Sequence, residues 1–299
     1  MATSITTAFV RQYESEVHHL FQRMGGLLRM AVRAKSNVVG SSTTFQKIGT
    51  GAATTKARHG VITPMNNAHT NVQCTISDFY AGDWVDRLDE AKVNIDERMA
   101  LAQAGAWALG RKVDDQILTA MDDTTQSTVT LLLTSKESAE NSFLQWVRAL
   151  DSNDVPNDGM RYAVVTPFAW SLLMKINSFA VSDYVTHEGL PFKEGASIMK
   201  WKDWLGVKWC VHNGISGVGT ATAKCFAWHK RAVGYASGAH PRNAAEQSNA
   251  IMADISWHGD RAAHFVNHWM SGGACLIEDT GVIEANINDT GTLPITSSS

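Results

Sequence analysis

The sequence predicts an α+β fold organised around one long helix, and three observations carry that prediction. Residues 94–121 repeat apolar side chains every three or four positions with no proline among them. Residues 37–71 abandon that period for Gly, Thr and Ser with short alternating runs. The remainder alternates strand-like and helix-like segments, among them RYAVVTP followed at once by PFAWSLLMKI.

Residues 4–34 place Ile5, Phe9, Tyr13, Val17, Leu20, Met24 and Leu27 or Leu28 at helical spacing, with Gly25 and Gly26 as an interruption. Arg11, His18, Arg29 and Arg33 lie off this stripe and read as a solvated or partner-facing side. Next come the runs VVGSSTTFQKI and HTNVQCTISDF, which read as a two-stranded β excursion with a loose tip at Gly49–Gly60. Two strands alone have too little apolar surface to be stable in water. The excursion must therefore lie on its own domain or on a neighbouring subunit.

In the long helix, Asn94 and Glu97 resemble a capping box, and Ile95, Met99, Ala102, Ala106, Leu109, Val113, Ile117 and Met121 form the apolar stripe. About 27 residues at 1.5 Å each give a rod of roughly 40 Å. Its Ala and Gly residues between positions 100 and 110 allow another element to approach closely. After the polar segment DDTTQSTVT, a short helix is expected from near Ser142 (FLQWVRAL), then the turn DVPNDG, the strand RYAVVTP and a helix opened by Pro167. Residues 177–219 read as irregular, with Trp201, Trp204 and Trp209 packed into a core or interface. KCFAWH and IMADISWHG read as strands and HFVNHWM fits either strand or helix. ACLIEDTGVIEANI reads as a strand pair broken at Thr280-Gly281, and the tail NDTGTLPITSSS as mobile or edge-bound.

Composition narrows the function. A chain of 299 residues that is 44% hydrophobic and 18% charged is globular rather than disordered. It has no apolar run of the roughly 18 residues that a membrane span needs, and charge interrupts its start before a signal peptide could form. Neither membrane insertion nor classical secretion is expected. Cys74, Cys210, Cys225 and Cys275 are scattered singly, which suits a reduced compartment without excluding disulfides. A net charge of −3 argues against a surface that grips nucleic acid all over.

That average conceals an asymmetry. Val17–Ser77 contains no Asp or Glu, yet carries Arg23, Arg29, Arg33, Lys35, Lys47, Lys56 and Arg58. The next twenty residues hold Asp78, Asp83, Asp86, Asp89, Glu90, Asp96 and Glu97 against Arg87 and Lys92. Adjacent blocks of opposite sign suggest complementary faces that meet between copies. The spacing of Asp83, Asp86, Asp89 and Glu90 suits one face of a helix and not an EF-hand loop.

No enzyme signature emerges. His264 and His268 share a face at a spacing of four, but HExxH is absent and no metal is expected. GISGVG lacks the final glycine of a nucleophile elbow, GTGAAT and GVGTAT read as turns, and there is no Walker A sequence. No catalytic residue and no cofactor is expected.

Several stretches resemble one phage capsid family: AFVRQYESEVHHLFQ, TTFQKIGTG, TKARHG, YAGDWVDRLDEAKVNIDER, YAVVTPFAW and GDRAAHFVNHWMSGGACLIEDTGVI. Their number and order span nearly the whole chain, which thereby resembles a tailed-bacteriophage major capsid protein of the Hong Kong 97 fold. The resemblance implies an N-terminal arm (1–39), an extended loop lying over an adjacent subunit (40–77), a peripheral domain (78–150) with its spine helix (94–121), an axial domain (151–245), return strands of the peripheral domain (246–287) and a tail (288–299). It implies an icosahedral shell of pentamers and hexamers around double-stranded DNA, assembled in the bacterial cytoplasm. The portal, and separate scaffolding or decoration proteins, would be partners; a membrane would not. Lys47, Lys56 and Arg58 would then face Asp83, Asp86, Asp89 and Glu90 of another copy. Two alternatives stay open: a bacterial nanocompartment shell of the same fold with a protein cargo, and a soluble α/β hydrolase or metal-dependent enzyme using the histidine-rich C-terminal third.

Overall fold

The computed structural model describes residues 25–87, 97–132, 135–176, 201–239 and 252–291. In chain order the strands are β1 (Arg33–Val38), β2 (Ser42–Ile48), β3 (His69–Thr75), β4 (Ser77–Asp86), β5 (Val129–Leu131), β6 (Arg161–Val165), β7 (Lys202–Trp204), β8 (Val207–Val211), β9 (Ala223–His229), β10 (Val233–Gly238), β11 (Met252–His258), β12 (Ala263–Leu276) and β13 (Val282–Ile287). The helices are α1 (Glu97–Asp122), α2 (Lys136–Ser152) and α3 (Pro167–Leu173), with short 3-10 turns at Leu28–Ala31 and Asp279–Gly281. Two compact units result. The smaller takes the chain up to Gly25, Asp78–Lys112 and Ala250–Met270; the larger takes Gly26–Ser77, Val113–Asn249 and Ser271–Ser299.

The larger unit is built on a six-stranded sheet in the order β5-β13-β9-β6-β8-β7. Strand β6, RYAVV, is buried at every position although only Val164 and Val165 are β-branched, because it lies inside the sheet between β9 and β8. It pairs parallel to β8 and antiparallel to β9. Helix α2 covers the sheet because Phe143, Trp146 and Leu150 recur at helical spacing and are fully buried. The Trp146 ring meets Trp209 edge-on at 5.6 Å between centroids, and its indole N–H donates to the Ile283 carbonyl at 3.2 Å. Trp209 in turn donates to the Trp204 carbonyl at 3.0 Å. Trp204 and Trp209 are thus core residues, and Trp209 has its one polar atom satisfied, whereas the half-buried Trp201 keeps its indole N–H without a hydrogen-bond partner among the described residues. Thr166 caps α3 through the Ala169 amide at 3.2 Å, and Pro167 occupies the first turn as expected.

A second layer of the larger unit runs β1 parallel to β10 and β10 antiparallel to the Gly272–Leu276 end of β12. In the smaller unit, β11 pairs antiparallel with the Ala263–Trp269 part of β12, and β4 also pairs with β12. The small residues of α1 serve the close approach anticipated for them. A side chain at Gly105 would come within 2.5 Å of the His268 ring.

Several expectations shift. The helix read over residues 4–34 is, in its described part, a 3-10 turn followed by β1; residues 1–24 lie outside the described residues. The register Arg33↔Gly234 explains the change, since parallel pairing with β10 overrides the local helical period. The spine helix begins at Glu97 and its proposed cap at Asn94 lies outside the described residues. Helix α2 starts at Lys136, six residues before Ser142, because Ser135 accepts the Ser138 amide at 3.2 Å and caps a polar first turn. The tryptophan-rich segment contains a hairpin, β7–β8, closed by Leu205 and Gly206 at φ +53° and +72°. Two positive φ values mark a type I′ turn, whose usual Asn-Gly signature is missing here. The two strands read in ACLIEDTGVIEANI do not pair: β12 joins β10 and β11, whereas β13 sits between β5 and β9. So β13, read as a return strand beside the spine, shares a sheet with β6 and β9 of the region read as axial. The tail is held at its start, where Asp289 accepts the Thr166 hydroxyl at 2.9 Å and the Gly219 amide at 2.6 Å.

Candidate inter-subunit surface

The β2–β3 excursion is anchored at one end. The strands pair from Ser42↔Thr75 to Ile48↔His69, and Phe45 and Cys74 are buried with Val38, Ala236 and Ile277. Gly273 lets β12 pass close by, since a side chain there would meet the Thr75 carbonyl at 1.9 Å. Lys47 is also held by its own chain, its Nζ 2.8 Å from Glu278 Oε1. The Gly49 amide donates to the Ala68 carbonyl at 2.8 Å, and beyond that point the tip has no regular structure.

The distal part is left uncovered. Ile48, Val61, Ile62 and Met65 are exposed, Val61 to 92% and Ile62 to 71%. Lys56 and Arg58 stand exposed between them in sequence, in the turn where the Gly60 amide donates to the Ala57 carbonyl at 2.9 Å. An apolar group of this size, edged by cations, marks a surface made to be covered. Composition alone hides it, because a Gly- and Thr-rich tip reads as loop; the signal is VITPM within it.

The acidic residues divide differently from the expectation. Asp83 and Asp86 are exposed on strand β4, not on a helix, and alternation along a strand sends positions three apart to opposite faces. Asp83 accepts the Trp84 amide at 2.8 Å. Asp89 and Glu90 lie outside the described residues. Around β4 the smaller unit gathers aromatic rings and cations: Trp84 lies 4.5 Å from Phe265, Arg261 lies 4.5 Å over Trp84, and Arg87 lies 5.7 Å over Trp257. Arg87 therefore stacks on a ring within the acidic segment.

His264 and His268 do fall on one face of β12 but do different work. His264 stacks on Trp257 at 4.9 Å, and the buried His268 has Nδ1 3.2 Å from the Ala81 carbonyl. Among the described residues no three His, Cys, Asp or Glu side chains are grouped to hold a metal, and no helix is long and apolar enough to cross a membrane.

One polar centre escaped the sequence. Asp114, fully buried on α1, accepts the Leu28 amide at 3.0 Å and lies 3.3 Å from His212 Nε2. The Gly214 amide donates to His212 Nδ1 at 3.1 Å, so the ring proton sits on Nε2 and points at the carboxylate. This centre fixes the spine helix to the start of β1 and to β8. Nothing in the spacing of residues 28, 114 and 212 could have announced it.

The architecture has counterparts. The solved capsid of cyanophage P-SCSP1u aligns over 97% of this chain and 96% of its own, with a TM-score of 0.70 at 13% identity. The structure from Mycobacterium phage Che8 aligns over 95% and 98%, with a TM-score of 0.67 at 16% identity. The capsid of a native GTA particle aligns over 96% and 99%, with a TM-score of 0.69 at 9% identity. No curated protein matches the sequence. Identities this low speak for the fold, which is that of the Hong Kong 97-like capsid proteins. A family model described as phage capsid protein matches residues 5–288, and with an anchored excursion, a long spine helix and a covered sheet in the same chain, the protein belongs to the phage capsid protein family.

Proposed function

We propose that this capsid protein assembles with copies of itself, as pentamers and hexamers, into the icosahedral shell of a tailed phage. The shell encloses double-stranded DNA, forms in the cytoplasm of the bacterial host, and works with a portal and with separate scaffolding or decoration proteins. The role is structural, with no catalytic step. In this reading residues 40–77 lie over an adjacent copy, 78–150 and the strands from 246 to 276 form the peripheral domain, and 151–245 together with β13 form the axial domain. The observation that carries the proposal is the excursion tip, whose apolar side chains are left uncovered by their own chain.

Magnitudes rank the contacts. Covering Val61, Ile62 and Met65 stabilises by about 1.5–3 kcal/mol each. An exposed ion pair contributes about 0.2–1 kcal/mol. Apolar burial therefore sets the strength of the contact, and Lys56 and Arg58 against Asp83, Asp86, Asp89 and Glu90 of the next copy set its register. Lys47, already engaged by Glu278, has the smaller part in that pairing.

The test is deletion of residues 49–60 in the full chain, followed by circular dichroism, sedimentation and negative-stain imaging. A folded chain that no longer forms shells supports the reading, and normal shells from the deletion would sink it. For the charges, Lys56→Glu with Arg58→Glu should lower assembly yield. Adding Asp86→Lys and Asp89→Lys should partly restore it, and salt should blunt both effects, because screening acts over roughly 8 Å at physiological ionic strength.

A further inference from the structure

Three cations converge on one cavity in the larger unit. Its volume is about 480 Å³ and its described lining consists of Arg33, Met160, Lys230 and Arg231. The register of the sheet brings them together. Arg33 opens β1 opposite Gly234, immediately after the tight turn that carries Lys230 and Arg231 between β9 and β10. The Ala232 amide closes that turn on the His229 carbonyl at 2.8 Å, and the Lys230 amide donates to the Met160 carbonyl at 2.9 Å. The floor is thus fixed by backbone bonds, and the Arg33 guanidinium rests 5.4 Å over the Phe45 ring, a contact that leaves its N–H groups available to an anion.

The carboxylate on the neighbouring loop is directed elsewhere. Asp158 Oδ1 accepts the Met160 amide at 3.1 Å and lies 3.1 Å from His229 Nε2. The Arg231 amide donates to His229 Nδ1 at 3.2 Å, so the ring proton is on Nε2 and is donated to Asp158. Like charges around one cavity repel, and a bound anion relieves that repulsion. A second cavity of about 320 Å³ shares Arg33 and continues past Lys35 and Gln46, so the basic surface is a strip rather than a point.

We propose that this strip, centred on Arg33, Lys230 and Arg231, is where the shell holds the phosphate backbone of the double-stranded DNA inside it. The inference rests on the shell reading above and names the residues of that contact. A duplex suits the strip because it carries one charge per roughly 1.7 Å of axis. The planar guanidinium groups of Arg33 and Arg231 match phosphate oxygens two at a time. The acidic strand of another copy suits it less, because Asp83 and Asp86 point to opposite faces and cannot both enter one cavity.

The experiment measures binding of a fluorescent 20-base-pair duplex to the unassembled full-length chain across salt concentrations, beside imaging of assembly. Arg33→Gln, Lys230→Gln and Arg231→Gln together should weaken binding at least about tenfold at low salt and reduce the logarithmic salt slope by about 2 to 3. The charge-keeping set Arg33→Lys, Lys230→Arg and Arg231→Lys should restore most of the slope, which separates lost charge from lost folding. Lys56→Gln with Arg58→Gln should leave the slope unchanged. An unchanged slope in the triple Gln variant overturns the site while leaving the shell reading intact. So does a triple variant that binds DNA normally but fails to assemble, because the strip then serves a protein neighbour. Failure of the unaltered chain to form any shell counts against the shell reading itself.

Discussion

The six-stranded sheet and the β2–β3 excursion both carry apolar side chains and leave them in opposite states. In β6 every side chain is buried, and helix α2 adds Phe143, Trp146 and Leu150 from above. In the excursion, Thr43, Phe45 and Cys74 are buried at the base while Ile48, Val61, Ile62 and Met65 stand in solvent. The sheet's apolar side chains are covered within one chain, and those at the excursion tip are not. Apolar side chains placed where their own chain cannot reach them contribute nothing to the stability of the monomer, so their free energy appears when a second molecule arrives.

Substitutions in the two regions should therefore separate monomer stability from assembly. The largest effect on the monomer is expected from Trp146→Ala, which empties a fully buried site and frees the Ile283 carbonyl; about 3–5 kcal/mol should be lost in denaturant unfolding of the full chain. A loss below about 1 kcal/mol would mean that the sheet is not the rigid half of the pair.

An intermediate effect belongs to Asp279. Its carboxylate accepts the Thr125 hydroxyl at 2.6 Å, the Thr125 amide at 2.9 Å, Gln126 Nε2 at 2.7 Å and the Thr124 hydroxyl at 2.9 Å. Partial burial pushes its pKa up, but the hydrogen bonds from Thr125, Gln126 and Thr124 outweigh that and bring it down to about 2 from 3.8. A carboxyl whose pKa is lower in the folded chain stabilises fully above its unfolded pKa and loses that contribution as pH falls. Asp279→Asn should cost about 1–3 kcal/mol near neutrality. The gap between variant and parent should close as pH falls from 3.8 towards 2, as thermal unfolding at stepped pH would show. A gap that persists unchanged below that window would assign the cost to shape, not to charge.

The smallest effect on the monomer should come from Val61→Ser with Ile62→Ser. Unfolding should move by no more than about 0.5 kcal/mol, because neither side chain is packed. Shell yield should nevertheless fall sharply. If these two substitutions destabilise the monomer as much as Trp146→Ala does, the contrast between the two regions is void.

How far the sequence disclosed this molecule follows from the range of each interaction. Elements held by local signals were readable: the apolar repeat of α1, the Pro167 start of α3 and the alternation of β2 and β3. The excursion's need for support was readable too, because two strands without a sheet are unstable on general grounds, and its base finds that support on Val38, Ala236 and Ile277 of its own chain. What escaped was set by distant residues or by an unusual local choice. The parallel pairing of β1 with β10 joins residues 200 apart and converts a helical period into a strand. Leu205 takes a left-handed conformation that Asn or Gly would normally announce. The acidic spacing fits one face of a helix, and pairing with β12 makes a strand of the part that holds Asp83 and Asp86. The basic cavity joins residues 33, 160, 230 and 231, which no window along the chain contains together.

The place of β13 governs the timing of all this. It lies between β5 and β9, so the six-stranded sheet cannot close until Ile287 has left the ribosome. Synthesis at about 5–20 residues per second puts that moment roughly 10–40 s behind Thr75. The strands of the excursion are complete by Thr75, far earlier, and pair with each other locally. A nascent chain thus displays the exposed Val61, Ile62 and Met65 before the six-stranded sheet is finished. Premature association is the hazard this order creates. It falls on chains that share a messenger, since they are the ones held close together while β13 is still missing.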